Sequence, residues 1–157
     1  MFPFEGSTVS WLIVSWYLAS VVSALVPWVN AEVLMLSALP LATTNDRLTL
    51  LVLAVTLGQM TGKSVMYWLS RGATGAGVQR LRAGMERWRD RFEERPRSAC
   101  TLVFASAAIG LPPFYAVSIA AGAFKLSFGR FLAFGSAGRL LHFAALALVP
   151  HIIWRGL

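Results

Sequence analysis

At 157 residues, with 57% hydrophobic residues and a mean hydropathy of +0.64, the chain is too apolar for a soluble domain and too short for a large multi-pass carrier. The formal net charge of +7 would suit nucleic acid, but most of the excess is confined to one segment between apolar runs, with no RNA- or DNA-binding motif beside it. A single cysteine, Cys100, excludes an internal disulfide; no metal-ligand spacing is present, and no metal or other cofactor is expected.

Met1 to Gly6 contains Glu5 and neither Lys nor Arg, so it lacks the positive start of a cleaved signal peptide and the first apolar run is expected to be retained. Val9 to Val29 is free of charge and carries Trp11 near one end and Trp28 at the other, which predicts a first spanning helix over 9–29. Ala31 to Thr44 is too short to cross and is interrupted by Pro40, with Glu32 at its mouth. It predicts a smaller re-entrant or interfacial segment. Leu48 to Ser70 is again long enough to span, with Tyr67 and Trp68 at its far end.

Residues 71–97 form the long polar segment. Its eight arginines (71, 80, 82, 87, 89, 91, 95, 97) face four acids (Glu86, Asp90, Glu93, Glu94), and by the positive-inside rule it lies in the cytoplasm. Gly72 to Gly77 reads as a flexible linker, since no strand precedes it as a phosphate loop would require. Val78, Leu81, Met85, Trp88 and Phe92 then recur at steps of three and four, an apolar stripe on a helix whose other face is rich in arginine. Such a helix lies in the interface plane against anionic headgroups. Packing of the stripe on a partner is the alternative.

Ala99 to Phe124 carries no charge, and Pro112 and Pro113 stand in its middle after Gly110. A straight helix through them would lose two backbone donors and press both rings on the preceding turn, at about 3 kcal/mol or more for each break. Two helical arms joined by a tight turn fit better, and in lipid such a turn survives only when buried in protein or facing water. This predicts a re-entrant helical hairpin over 99–124, with a single proline-kinked crossing as the alternative. Phe128 to Trp154 is the last spanning run. If the arginine-rich segment is cytoplasmic, the two broken segments enter from opposite sides and each precedes a spanning helix. That is the layout of an inverted-topology repeat, in one all-α membrane domain with its site near the midplane.

Glu32, Lys63, Arg139 and His142 fall within apolar runs, where a charge costs about 2.5 to 3.5 kcal/mol even on lenient scales, so they are expected to face one another or water. Arg139 and His142 are three apart on one helix face, and Lys63 and Arg139 are cations available to Glu32. A carboxylate with a cation at the mouth of a broken helix suits gripping an anionic headgroup or moving a proton. A structural ion pair is the plain alternative. Gly58 and Gly62 form a small-xxx-small pair, and Gly135 with Gly138 and Ala121 with Gly122 offer similar thin faces for helix packing. Thr61-Gly62-Lys63-Ser64 ends like a nucleotide-binding loop, but Leu57 stands where that pattern needs glycine. No nucleophile with a base and no catalytic carboxylate pair is visible, so enzyme chemistry is not expected.

These residues resemble the DedA/VTT (SNARE-associated Golgi protein) family. Val29-Asn30-Ala31-Glu32 is similar to that family's proline-glycine-glutamate mouth in keeping the acid. Gly58, Gly62, Tyr67 and Arg71 match a Gly-xxx-Gly-Asp-xxx-Tyr-xx-Gly-Arg pattern in which Lys63 replaces the acid and Ser70 the last glycine. Ala120-Ala121-Gly122 with Leu126 and Phe131 is similar to the stretch after the family's second hairpin. The resemblance implies two re-entrant hairpins and transport of a lipid, a polyprenyl phosphate or a phospholipid, coupled in bacterial members to an ion. The arginines that bacterial flippase members carry around the turn proline are absent from Ala105 to Tyr115, which places this chain nearer to shorter, divergent branches.

Three functions therefore stay open: a lipid transporter holding its headgroup with Glu32 and Arg139, a non-transporting scaffold or lipid sensor built on the basic helix, and a small ion or metabolite exchanger. Membrane lipids are the expected partners, with anionic headgroups at the basic helix. Nucleic acid is not expected, and a homo-oligomer stays open. Twelve arginines against two lysines hint at a GC-rich bacterial genome and hence an inner membrane.

Overall fold

The computed structural model describes residues 5–26, 30–42, 44–73, 79, 83–84, 86, 89, 92 and 95–155, and among them there are helices and no strand. The helices are α1 (Glu5–Leu25), α2 (Ala31–Ala38), α3 (Asn45–Gly72), α4 (Pro96–Ile109), α5 (Phe114–Ala123) and α6 (Phe128–Arg155). Two of them are long and apolar enough to cross a membrane, over Asn45–Gly72 and Phe128–Leu148. The described apolar part of α1, Ser10–Leu25, is shorter than that. Of the stripe expected on the basic helix, Val78, Leu81, Met85 and Trp88 lie outside the described residues. Phe92 is buried and stacks on Phe124, with ring centroids 5.9 Å apart.

The chain falls into two compact units, Met1–Gly62 with Leu140–Leu157, and Lys63–Arg139. In the first, Asn30 caps α2 by accepting a hydrogen bond from the Glu32 N–H at 2.8 Å, which satisfies a donor that the first turn leaves open. The helix runs only eight residues and passes into a 3-10 turn over Leu39–Leu41 that takes in Pro40. Proline suits that place because the first turn of a helix needs no N–H there. This first broken segment is thus one short helix and a turn, with no second arm among the described residues before α3. Met35 and Ala38 of α2 pack with Leu51, Val52 and Val55 of α3 and Phe143 and Ala147 of α6 in an apolar core. A Cβ on Gly58 would overlap the Tyr17 carbonyl and Ser20, and one on Gly62 would overlap Ala24, so α3 meets α1 at backbone distance. Beside these glycines the Gln59 amide donates to the Ser20 carbonyl at 3.1 Å and to the Ser23 hydroxyl.

In the second unit, α4 ends where Gly110 takes a left-handed conformation (φ 85°) that any side chain would resist, its N–H bonded to the Ser106 carbonyl. Gly110, Leu111, Pro112 and Pro113 make the turn, the Ser106 hydroxyl donates to the Pro112 carbonyl, and α5 begins at Phe114 and packs on α4. Two helical arms and a proline turn are therefore present in the segment where the sequence predicts them. The α5 helix is buried along most of its length. It closes with Lys125 in the left-handed region (φ 57°), the Leu126 N–H bonding to the Ala121 carbonyl and the Lys125 N–H to the Gly122 carbonyl. This is the double closure usually built on glycine. Gly122 rests on the Tyr67 carbonyl and the Ser70 hydroxyl, and Gly138 of α6 on the Phe104 carbonyl and Ala107 of α4.

Candidate functional site

Polar and charged side chains are gathered inside each unit. In the first unit the α2 cap sets Glu32 in the opening turn of its helix, and there its Oε1 lies 3.1 Å from Nε2 of His142 on α6. The carboxylate is 38% exposed and the imidazole 17%, so the pair lies at an edge of the unit and is not sealed in the core. The neighbouring ring of Phe143, fully buried, meets the imidazole edge to face at 5.4 Å and limits its rotation.

The second unit holds Lys63 and Arg139, both buried, at 5% and 8% exposure. Nζ of Lys63 lies 5.6 Å from the ring centre of Tyr115, and the guanidinium of Arg139 lies 5.1 Å from that of Phe114. Each is a cation over an aromatic face, a contact that strengthens when water is excluded. Phe114 and Tyr115 are the first two residues of α5, directly after Pro113, so α3 and α6 each bring one positive charge to the residues where the proline turn ends. Phe114 also stacks on Phe131 at 6.2 Å, and Phe131 on Tyr67 at 5.0 Å, which fixes the aromatic floor of this cluster.

A third constellation sits at the end of α3. The Tyr67 hydroxyl donates to the Leu126 carbonyl, while Nη1 of Arg71 donates to the Tyr67 hydroxyl and, at 3.1 Å, to the same carbonyl. Arg71 occupies the last turn of α3, where a cation also complements the helix dipole. Removing the hydroxyl in Tyr67→Phe should cost about 1 to 2 kcal/mol of stability, and Arg71→Met about 1.5 to 3. The double variant should lose less than the sum because both donors serve one acceptor. Denaturant titration in detergent micelles reads all three.

Among the residues predicted as a site, the structure thus brings Glu32 to His142 in one unit and sets Lys63 and Arg139 around the start of α5 in the other. His142, expected to share a helix face with Arg139, is a partner that the geometry gives Glu32. Phe114, Tyr115 and the Tyr67 hydroxyl were missed. The signal available for the first two was their position immediately after the turn prolines, and for the third a phenol in an apolar run, which needs a partner for its hydroxyl once buried.

Trp11, Leu18, Val22, Leu57, Leu69 and Leu141 are more than half exposed, while Ser20, Gln59, Lys63, Ser106, Ser118 and Arg139 are buried. That sorting is the reverse of a water-soluble surface, and with two helices of spanning length it points to a membrane protein. The family model for the VTT domain matches residues 16–150, and the chain belongs to that family, the DedA/SNARE-associated Golgi protein family. No curated protein and no solved structure matches it.

Proposed function

We propose that this protein moves a lipid with an anionic headgroup, a polyprenyl phosphate or a phospholipid, across a bacterial inner membrane. In this reading α4, the proline turn and α5 form a re-entrant hairpin that enters from the cytoplasmic side, and Lys63 and Arg139 receive the headgroup phosphate beside the turn. The observation that carries the reading is the pair of buried cations set against Phe114 and Tyr115. A cation inside an apolar region is costly, and a phosphate is an acceptor suited to both an ammonium and a guanidinium. The acyl chains remain in the bilayer, so the protein need enclose only the polar end.

Membership of the VTT-domain family supports the same reading. An inverted repeat is supported by the order of elements: α2 with its 3-10 turn precedes one 28-residue helix, and α4 with α5 precedes another. The Glu32–His142 pair suits a coupling proton, since carboxylate and imidazole groups pass protons within membranes.

Reconstitution into liposomes tests this with fluorescent lipids whose arrival in the outer leaflet is read by dithionite quenching. The protein should move phosphatidylglycerol faster than phosphatidylcholine, and an imposed pH gradient should bias the movement in the parent chain but not in Glu32→Gln. Movement of neither lipid above that of empty liposomes, with long-chain polyprenyl phosphate also left in place, would overturn the proposal.

A further inference from the structure

A cleft of about 430 Å³ opens in the second unit, lined by Arg97, Cys100 and Thr101 of α4 and by Arg130 and Phe134 of α6. It is distinct from the cluster of Lys63 and Arg139, sharing no residue with it. Each helix contributes an arginine from its first turn and, four residues further in, a less polar neighbour: Arg97 with Thr101, Arg130 with Phe134. Residues four apart lie one above the other on a helix, so one end of the cleft is doubly cationic and the interior is not. The Thr101 hydroxyl donates back to the Arg97 carbonyl and is thereby turned to its own helix.

The placement of these arginines is unfavourable by itself. The first turn of a helix carries a partial positive charge and prefers acids, yet neither α4 nor α6 has an acid in its first turn and both place an arginine there. Two guanidiniums on one cleft, at two helix starts, call for an anion with several acceptor oxygens, and a phosphate accepts from both forks at once. The fall in polarity toward Phe134 matches a phosphate ester that continues into hydrocarbon, and a cavity of this volume holds a headgroup without an acyl chain.

We propose that this cleft binds the phosphate of an anionic phospholipid, held by Arg97 and Arg130, as a site separate from the one that receives a transported headgroup. The inference rests on the cleft alone and does not require that the protein move lipid. Cys100 is the single cysteine of the chain and lines the cleft, so its reaction with N-ethylmaleimide reports on occupancy. The full chain in nanodiscs of phosphatidylcholine should react about tenfold faster than in discs containing an equal part of phosphatidylglycerol, the protection expected when nine sites in ten are filled. Arg97→Gln with Arg130→Gln should erase the difference between the two lipids. Where Cys100 proves unreactive in both, Thr101→Cys in a Cys100→Ser background places the thiol on the exposed wall of the same cleft and repeats the measurement.

Equal rates in the two lipids at both thiol positions would overturn the proposal, as would protection that survives loss of both arginines. Protection by inorganic phosphate in discs of phosphatidylcholine alone would assign the cleft to a soluble phosphate compound and overturn the lipid. Flux in the liposome assay is read on the same variants. Abolished protection with flux intact supports the separate site, and flux that falls in step with protection would return the arginines to the transport path and overturn the separation.

Discussion

One methyl group at position 122 is expected to cost the protein about 3 kcal/mol, the upper part of the range for overpacking a closely fitted interior. Gly122 lies against the main-chain carbonyl of Tyr67 and the hydroxyl of Ser70, and a Cβ there would overlap both. A carbonyl in the middle of a helix cannot step aside without breaking its own hydrogen bond, so α5 would have to move off α3. That movement would also strain the closure at Lys125 and Leu126, three and four residues later. Gly122→Ala should therefore unfold at markedly lower denaturant in mixed micelles. Gly129→Ala supplies the control: nothing lies within 4 Å of a Cβ at that position, and exchanging glycine for alanine in a helix should leave stability unchanged or raise it by up to about 1 kcal/mol. Similar losses in the two variants would mean that the close approach of α5 to α3 does not hold the unit together.

The second large effect is expected at Lys63 and Arg139. If these side chains receive a phosphate, Lys63→Met and Arg139→Met each remove a charge while keeping much of the stem, and each should slow movement of an anionic lipid about tenfold, equivalent to about 1.4 kcal/mol. Neither should slow a zwitterionic lipid as much, so preference between headgroups falls along with the rate. The unfolding midpoint is read on the same variants, because both side chains also pack against aromatic rings. An unfolding midpoint that keeps the parent value while flux falls separates a binding role from a packing role. Flux and preference both equal to the parent would remove these cations from the mechanism.

Much of the backbone is legible in the sequence. The spanning runs read as 48–70 and 128–154 correspond to helices over Asn45–Gly72 and Phe128–Arg155, because an uninterrupted apolar run has no other way to satisfy its backbone in lipid. The two arms around Gly110, Pro112 and Pro113 are legible for the same reason: proline cannot continue the ladder, and glycine before it permits the left-handed exit. The first broken segment is less so. Pro40 marks an interruption, but its absorption into a 3-10 turn, with no second arm among the described residues, depends on how soon Thr44 and Asn45 restart a helix.

Partnerships over long stretches of chain are not legible at all. Nothing local shows that His142 lies beside Glu32, 110 positions earlier, since spacing fixes neighbours on one helix and is silent about which helices meet. Arg71 shows how a boundary between segments is blurred. A count of charges opens the polar segment with it, and in the structure α3 continues to Gly72 and the Arg71 guanidinium bonds to Tyr67 and Leu126. Its neighbours in the family-like pattern, Tyr67, Ser70, Gly122, Leu126 and Phe131, meet in the same place, so motif residues scattered over sixty-odd positions of sequence prove to be one contact region.

The fastening at the end of α3 grips a peptide oxygen and not a side chain, and this makes its two ends unequal under mutation. Exchange at 126 for another residue of similar bulk, leucine for methionine among them, leaves the acceptor untouched. The phenol and the guanidinium have no substitute that reaches the same oxygen, so drift is cheap on one side of the bond and closed on the other.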